Sequence, residues 1–354
     1  MKILHITPNL KWAKIFIQPL AIKQVEEGHD VVISSPEENE VIDSDKISYI
    51  KCNHKLKNFS KHISLLFKII KYVRKNKIEK IYCHTFLDSF LYIIFLRICT
   101  RAKVNYINHG VPYVGYNGIL GIIFKIMEAS NIICSHNIFS ITPGMTKLLE
   151  DVNFSKKNIL TFNPGTIAGI NELYPSYKHL MNIRTTRSNN QIKILFVGRI
   201  EKRKGIYELI DAIKRSCIDI QLTIVGSGDL PKDLLKLRWI RKLGYLDNPK
   251  EVYIENDFLC VPSYHEGFGQ VYLEAAKFGT IPISSNIPGP TDFIKDGYNG
   301  FTVEPMSIDS IVELLEKIKN NEYDLDFIQK NAFESVKCYE QDKVLKSNME
   351  LLND

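Results

Sequence analysis

Short runs rich in β-branched and other apolar residues alternate with longer amphipathic stretches along almost the whole chain, and few folds are open to a sequence written this way. Apolar runs of about four to eight residues read as strands buried on both faces, and a helical stretch between them is the crossover that parallel strands require. In the first half, strands are expected at Lys2–Thr7, Asp30–Ser34, Ile78–Cys83, Lys103–Ile107, Asn131–Cys134, Ile138–Thr142 and Asn158–Phe162. Helices are expected there at Ile15–Glu27, Phe59–Lys75, Ser89–Cys99, Ile119–Ala129 and Met145–Asp151. The second half repeats the alternation, with strands at Ile192–Val197, Gln221–Val225, Phe258–Val261, Ile281–Ser285 and Thr302–Glu304 and helices near Ile206–Lys214, Gly269–Phe278, Ser307–Lys319 and Asp342–Leu352. Between the halves, residues 171–191 are polar and basic with no hydrophobic period, which marks a boundary. A length of 354 residues suits two cores. The expected fold class is therefore α/β, with parallel-sheet domains at 1–170 and 192–340 and a terminal helix over 341–354.

Two segments carry chemistry. His265-Glu266-Gly267-Phe268-Gly269-Gln270-Val271-Tyr272-Leu273-Glu274 sets two carboxylates around a glycine-rich turn that should open a helix. Glycines let a ligand approach the backbone, the first N–H groups of a helix attract anions, and carboxylates accept hydrogen bonds from hydroxyls. That combination suits a sugar-phosphate. Upstream, Gly198-Arg199-Ile200-Glu201-Lys202-Arg203-Lys204-Gly205 follows the apolar run Ile194–Val197, so fixed cations stand at a strand-to-helix crossing and imply a second phosphate grip. Gly226-Ser227-Gly228-Asp229 ends another strand as a candidate nucleotide-side loop, without the third glycine of a dinucleotide fingerprint.

Gly198-Arg199 with Lys204-Gly205, Glu266-Gly267-Phe268-Gly269 with Glu274, Ile287-Pro288-Gly289-Pro290-Thr291-Asp292, and Asp296-Gly297-Tyr298-Asn299-Gly300-Phe301 occur in an order and spacing that resemble the retaining glycosyltransferases of family 4. The resemblance runs from about Gln191 to Pro305, is looser in the N-terminal half, and points to the capsule and O-antigen branch. It implies the GT-B fold, two Rossmann-like domains facing a central cleft, whose last helix often crosses back to the first domain. It implies a nucleotide-sugar donor, UDP-linked in preference to GDP-linked, and a polyprenyl-diphosphate-linked saccharide acceptor. Carried over residue by residue, Arg199 and Lys204 hold the diphosphate, aided by the amides of Phe268 and Gly269 after Gly267. Glu266 touches the donor sugar, and Glu274 touches the ribose. His109, in Ile107-Asn108-His109-Gly110-Val111-Pro112, lies against the donor sugar, while Gly226 and Tyr245 stand on the nucleotide side. Core packing is the rival reading for Tyr245. One departure stands out: the Gly-Gly turn common after the first strand is replaced by Pro8-Asn9-Leu10-Lys11-Trp12-Ala13, where Asn9 and Lys11 are substitute ligand contacts.

Composition narrows the setting. With 45% hydrophobic and 24% charged residues, the chain is an ordinary globular sequence. Seven cysteines without a CxxC or a His/Cys cluster argue against a disulfide framework and a zinc site and for a cytoplasmic setting. Because no Asp-x-Asp motif with a plausible ion site stands out and protein cations can neutralise a diphosphate, no metal or other cofactor is expected. No run reaches the ~18 apolar residues of a spanning helix. Net charge is +6, and ten Lys/Arg against one acid fall within 51–80. There Phe59, Ile63, Leu66, Phe67, Ile70 and Val73 recur at near-helical spacing among lysines, which suits either an ordinary domain helix or one lying on the anionic inner face of a plasma membrane. A lipid-linked acceptor favours the membrane. Nucleic acid is disfavoured, because no aromatic-basic recognition motif accompanies the charge. The rival functions are a GT-B epimerase or phosphorylase, recognisable by acceptor-free turnover or phosphate dependence, and a non-catalytic sugar- or nucleotide-binding subunit.

Overall fold

A computed structural model describes residues 1–36, 47–50, 58–116, 118–171, 176–183 and 191–353, without the side chains of 58, 59, 87 and 88. The chain divides into two compact units, Met1–Gly169 with Gln341–Asp354, and Ile170–Glu340. In chain order the first carries β1 (Lys2–Ile6), α1 (Leu10–Phe16), α2 (Gln18–Glu26), β2 (Asp30–Ser34), β3 (Ser48–Ile50), α3 (Asn58–Asn76) and β4 (Lys80–His84). It continues with α4 (Phe86–Cys99), β5 (Lys103–Asn108), α5 (Gly118–Cys134), β6 (Ile138–Ser140), α6 (Pro143–Glu150) and β7 (Ile159–Thr161). Its sheet is parallel throughout, in the order β3-β2-β1-β4-β5-β6-β7.

The second unit carries α7 (Tyr177–Ile183), β8 (Ile192–Val197), α8 (Ile206–Ser216), β9 (Ile220–Val225), β10 (Ile240–Gly244), α9 (Lys250–Glu255) and β11 (Phe258–Val261). Then follow α10 (Gln270–Lys277), β12 (Ile281–Ser285), α11 (Pro290–Phe293), β13 (Phe301–Val303), α12 (Ile308–Lys319) and α13 (Leu325–Ser335). Its sheet is again parallel, in the order β10-β9-β8-β11-β12-β13. The last helix, α14 (Gln341–Asn353), belongs to the first unit: Asn348 Nδ2 donates to the carbonyls of Thr166 and Ile167 at 2.9 and 3.0 Å, and Val344, Leu345 and Met349 are buried.

Local chemistry explains many boundaries. β11 is buried along its whole length, as an uninterrupted apolar run in the middle of a parallel sheet should be, and β12 is buried throughout although it ends in Ser284 and Ser285. Asn9, Thr142, Ser307 and Asp324 cap α1, α6, α12 and α13 by accepting the N–H three residues on. In both sheets the chain works outward in one direction and then returns to start in the other, which leaves a switch point between β1 and β4 and another between β8 and β11. Right-handed crossovers then place α3, α4 and α5 on one face of the first sheet.

Several expectations are corrected. The strand expected at Asn131–Cys134 is the end of α5: β5 pairs directly with β6, so no strand fits between them. Asn131 and Ile132 instead continue the buried helix face set by Glu128 and Ala129. Within 171–191, where no hydrophobic period is visible, α7 forms because Leu180 is buried and the Tyr177 hydroxyl donates to Gln329 Oε1 at 2.9 Å. The helix expected over Ile15–Glu27 is two helices, because Pro19 starts a new one after Ile17. On α3, Leu66 and Val73 of the expected stripe are buried, Ile63 and Ile70 are half-buried and Phe67 is exposed, while Leu65 and Ile69 beside them pack into the unit. Lys51, Lys55 and Lys57, and the side chain of Phe59, lie outside the described residues.

Candidate functional site

Both clusters of candidate residues form across switch points, where strand ends diverge and α/β sheets leave room for ligands. In the second unit the candidates follow the C-terminal ends of successive strands: Tyr245 after β10, Gly226 after β9, Arg199 and Lys204 after β8, Glu266 after β11. A single helical turn at Lys202–Lys204 brings the Lys204 ammonium against Glu266 Oε2, and the two side chains are only 14% and 17% exposed. Glu266 Oε2 also accepts from the Ser263 hydroxyl at 3.4 Å. Burial pushes the Glu266 carboxyl up, but the charge and hydrogen bond of Lys204, with Arg203 and the Gly267 N–H, carry it below its usual range. It is therefore an anion at neutral pH.

The cations of this loop are not equivalent. Arg203 bonds Glu201 Oε1 at 2.5 Å and the His265 carbonyl at 3.2 Å, tying the two loops together. Arg199 is 67% exposed on its side chain, 3.3 Å from the same Glu201 oxygen. Gly226 has φ 142°, and a Cβ there would fall 1.9 Å from the Gly198 carbonyl oxygen, so β9 and β8 can close at this point only through glycine. Gly269, at φ 84°, precedes α10 with no side chain capping its first turn, and a Cβ would meet the Tyr272 ring at 2.4 Å. The Phe268 side chain turns inward onto Tyr339 and Phe293, which leaves its backbone as the part able to meet a ligand. On α10, Glu274 Oε2 accepts from the buried Tyr253 hydroxyl at 2.8 Å. Burial holds the Glu274 carboxyl above its usual range despite that bond and Lys277. Tyr245 is 50% exposed, which removes core packing as its explanation.

In the first unit, His109 ends a chain of buried imidazoles. Gln24 Oε1 lies 2.9 Å from His5 Nε2, His5 Nδ1 lies 2.9 Å from His84 Nε2, and His84 Nδ1 lies 3.1 Å from His109 Nε2. The register explains the spacing: His5 stands opposite Tyr82 and His84 opposite Ile107, so each strand brings its histidine two positions farther along than its neighbour. With Gln24 Oε1 as acceptor and one proton per ring, every Nε2 donates, and His109 Nδ1 is left bearing a lone pair. Burial lowers His5 to about 4 against its hydrogen bond to Gln24, and lowers His109 to about 3. Burial and the neighbouring imidazoles place His84 well below its ordinary value, so all three are neutral at pH 7. Trp12 meets His109 edge-on at 4.7 Å between ring centroids. Asn108 Oδ1 accepts from the Gly110 N–H at 3.0 Å, and Asn108 Nδ2 donates to buried Glu128 at 3.0 Å, so the His109 loop is held to α5. Asn9, read as a ligand contact, instead caps α1 through its side-chain oxygen, accepting from the Trp12 N–H at 2.7 Å.

His5, His84 and Gln24 escaped the sequence reading. The available signal was a histidine within or just after three otherwise apolar strands; each alone resembles a packed core residue. A cavity of about 890 Å³ lies elsewhere in the first unit, lined by Arg74, Lys77, Lys80, Arg101 and Lys103 and by none of the candidates. Among the described residues no group of three or more His, Cys, Asp or Glu is placed to hold a metal ion, and no helix is long and apolar enough to cross a membrane.

Residues 182–335 match the family model for glycosyl transferases group 1. The capsular polysaccharide biosynthesis glycosyltransferase CapM of Staphylococcus aureus is 26% identical over 238 residues, which is 61% of this chain and 61% of CapM. A 41.2 kDa protein of the Klebsiella pneumoniae cps region is 25% identical over 335 residues, 89% of each chain. In fold, the chain is similar to Anabaena HepE, solved in complex with UDP and glucose, with a TM-score of 0.78 at 14% identity over 100% of this chain and 99% of that one. Two parallel-sheet Rossmann-like domains of the kind found in GT-B enzymes, with a group 1 domain over residues 182–335 of the second, identify the chain as a glycosyltransferase.

Proposed function

We propose that the protein is a retaining glycosyltransferase of family 4 that moves a hexosyl or N-acetylhexosaminyl group from a UDP-sugar to a polyprenyl-diphosphate-linked saccharide in capsule or O-antigen synthesis. It would work peripherally at the anionic inner face of the plasma membrane. The observation that carries the reading is the Lys204–Glu266 pair at the β8/β11 switch point, beside the uncapped start of α10. A departing nucleoside diphosphate needs positive charge, and Arg199, Lys204 and the first N–H groups of α10 can supply it as fixed protein groups. Glu266 accepts from hydroxyls of the donor sugar and holds the reacting carbon in place. The C1–O bond to the diphosphate breaks, the acceptor oxygen bonds C1 from the same face, and its proton passes to the departing phosphate oxygen. His109 Nδ1 accepts from a sugar hydroxyl, with its tautomer held by His84, His5 and Gln24. Glu274 accepts from the ribose, and Tyr245 stacks on the base. The capsular role of CapM and the UDP-glucose complexes of HepE support the substrate classes.

Two results test this. Purified protein given UDP-sugars and a lipid-linked acceptor should form one product with the anomeric configuration of the donor, unchanged in EDTA; inverted product, or activity lost in EDTA and restored by a divalent metal, contradicts the mechanism. The second concerns Glu274. Its carboxyl is raised in the fold, so the folded state holds a proton that the unfolded chain has already lost, and stability falls as pH rises through the ordinary carboxylate range. Glu274→Gln removes that loss. The variant should melt progressively higher than wild type as pH rises from 4 to 7, yet bind UDP more weakly and show a higher donor KM, by about 10-fold for one charge-assisted bond. A variant that binds UDP like wild type has lost no ligand contact.

A further inference from the structure

Helix α5 turns most of its isoleucines outward. Its inward face carries Glu128 and Asn131 beside Gly121, Ala129 and Ile132, all buried, while Ile119, Ile122, Ile123, Ile126 and Ile133 stand exposed along one stripe at helical spacing. Ile119, Ile122 and Ile126 are 77%, 59% and 61% exposed in the whole chain. Soluble proteins rarely leave such a contiguous apolar surface bare. On α4, which packs between α3 and α5, Phe95 and Ile98 are also exposed, and Ile98 lines the basic cavity with Arg74 and Arg101. The charges choose the partner. Between Gly118 and Cys134 the charged residues are Lys125, which is exposed, and Glu128, which is buried. Helix α3 contributes Lys68, Lys71, Arg74 and Lys75 on its exposed side and contains no acid. A second copy of the chain paired face to face would set these cations against one another, whereas an anionic bilayer offers hydrocarbon for the isoleucines and phosphates for the lysines.

We propose that α5, with the exposed residues of α4, is the element that enters an anionic lipid surface, while α3 supplies the surrounding charge and a single exposed ring, Phe67. This deepens the peripheral membrane reading and does not depend on the transfer chemistry. Lying flat, α5 is about 25 Å long and would sink its stripe to the acyl boundary, with Lys125 free to reach headgroups. The test is vesicle co-sedimentation without donor or acceptor, using phosphatidylcholine vesicles with and without phosphatidylglycerol. Wild type should bind the anionic vesicles. Ile119→Ser/Ile122→Ser/Ile126→Ser should weaken that binding by at least about 100-fold with an unchanged melting temperature, as expected for three exposed isoleucines that would otherwise leave water. Reversing Lys68, Lys71 and Lys75 to Glu should weaken binding only where phosphatidylglycerol is present. A tryptophan introduced by Ile122→Trp should be quenched by brominated acyl chains on binding. The proposal is overturned if wild type ignores anionic vesicles, if the triple serine variant binds like wild type, or if wild type is a dimer that this variant converts to monomer. Transfer to a soluble acceptor analogue should be the same in wild type and the serine variant, so loss of membrane binding and failure of the enzymatic reading give different results.

Discussion

Glu266→Gln is expected to lower kcat by about 10²- to 10³-fold, the usual effect of removing one charged group aimed at a transition state, while leaving UDP affinity nearly unchanged. Glu266 is an anion because Lys204 holds it so, and glutamine keeps its shape and loses the charge. The substituted amide can still accept from a sugar hydroxyl, but it offers nothing to the positive charge that develops at the reacting carbon. Binding of free UDP draws on Arg199, Lys204 and the α10 amides, none of which the substitution removes. Steady-state kinetics and calorimetric titration with UDP decide the matter. Wild-type kcat in the variant, or lost UDP affinity at unchanged kcat, would falsify the assignment of Glu266 to the sugar.

Lys204→Ala should cost more than a ligand contact. With the cation gone, a mostly buried carboxylate is stranded, and breaking such pairs costs about 3–5 kcal/mol when burial is complete and less for side chains that are 14% and 17% exposed. We expect about 1–3 kcal/mol of lost stability, together with UDP affinity reduced by about 10- to 100-fold. The pH dependence identifies the cause. In wild type the Glu266 carboxyl is depressed in the fold, so its contribution is complete above the ordinary carboxylate range and disappears as pH falls through the folded value. In Lys204→Ala the largest opposing causes are gone, and burial is set only against Arg203 and the Gly267 N–H, so the loss of stability on acidification should shrink. Adding Glu266→Gln to Lys204→Ala should restore part of the stability but not the UDP affinity. Arg199→Ala, at an exposed position, should weaken UDP binding with the melting temperature unchanged. Additive stability losses in the double variant mean that the two side chains are not coupled.

Much of the α/β architecture was legible because neighbours in sequence cause it. The runs at Asp30–Ser34, Ile192–Val197, Phe258–Val261 and Ile281–Ser285 form strands at their expected bounds, since short segments with so many β-branched and apolar residues find their stable place in a covered parallel sheet. The edge strands β3 and β10 went unread because pairing to one neighbour, rather than their own composition, makes them strands. Segment α5 was divided into a helix and a strand because its outward isoleucines look like core; only the packing shows that the polar Glu128 and Asn131 face inward. Arg199, Arg203 and Lys204 are interchangeable cations in a linear reading, yet one is exposed, one clamps two loops, and one meets a carboxylate 62 residues away. His5, His84 and His109 likewise join into one chain only because β1, β4 and β5 are neighbours in a fixed register. The sequence by itself determined the alternation of strands and helices, the glycine turns and the chemical types gathered at strand ends, because these depend on local backbone and burial preferences. Strand order and register decided which of those groups meet, which are buried, and what charge each one carries, because proximity across a sheet and exclusion of water are properties of the folded chain alone.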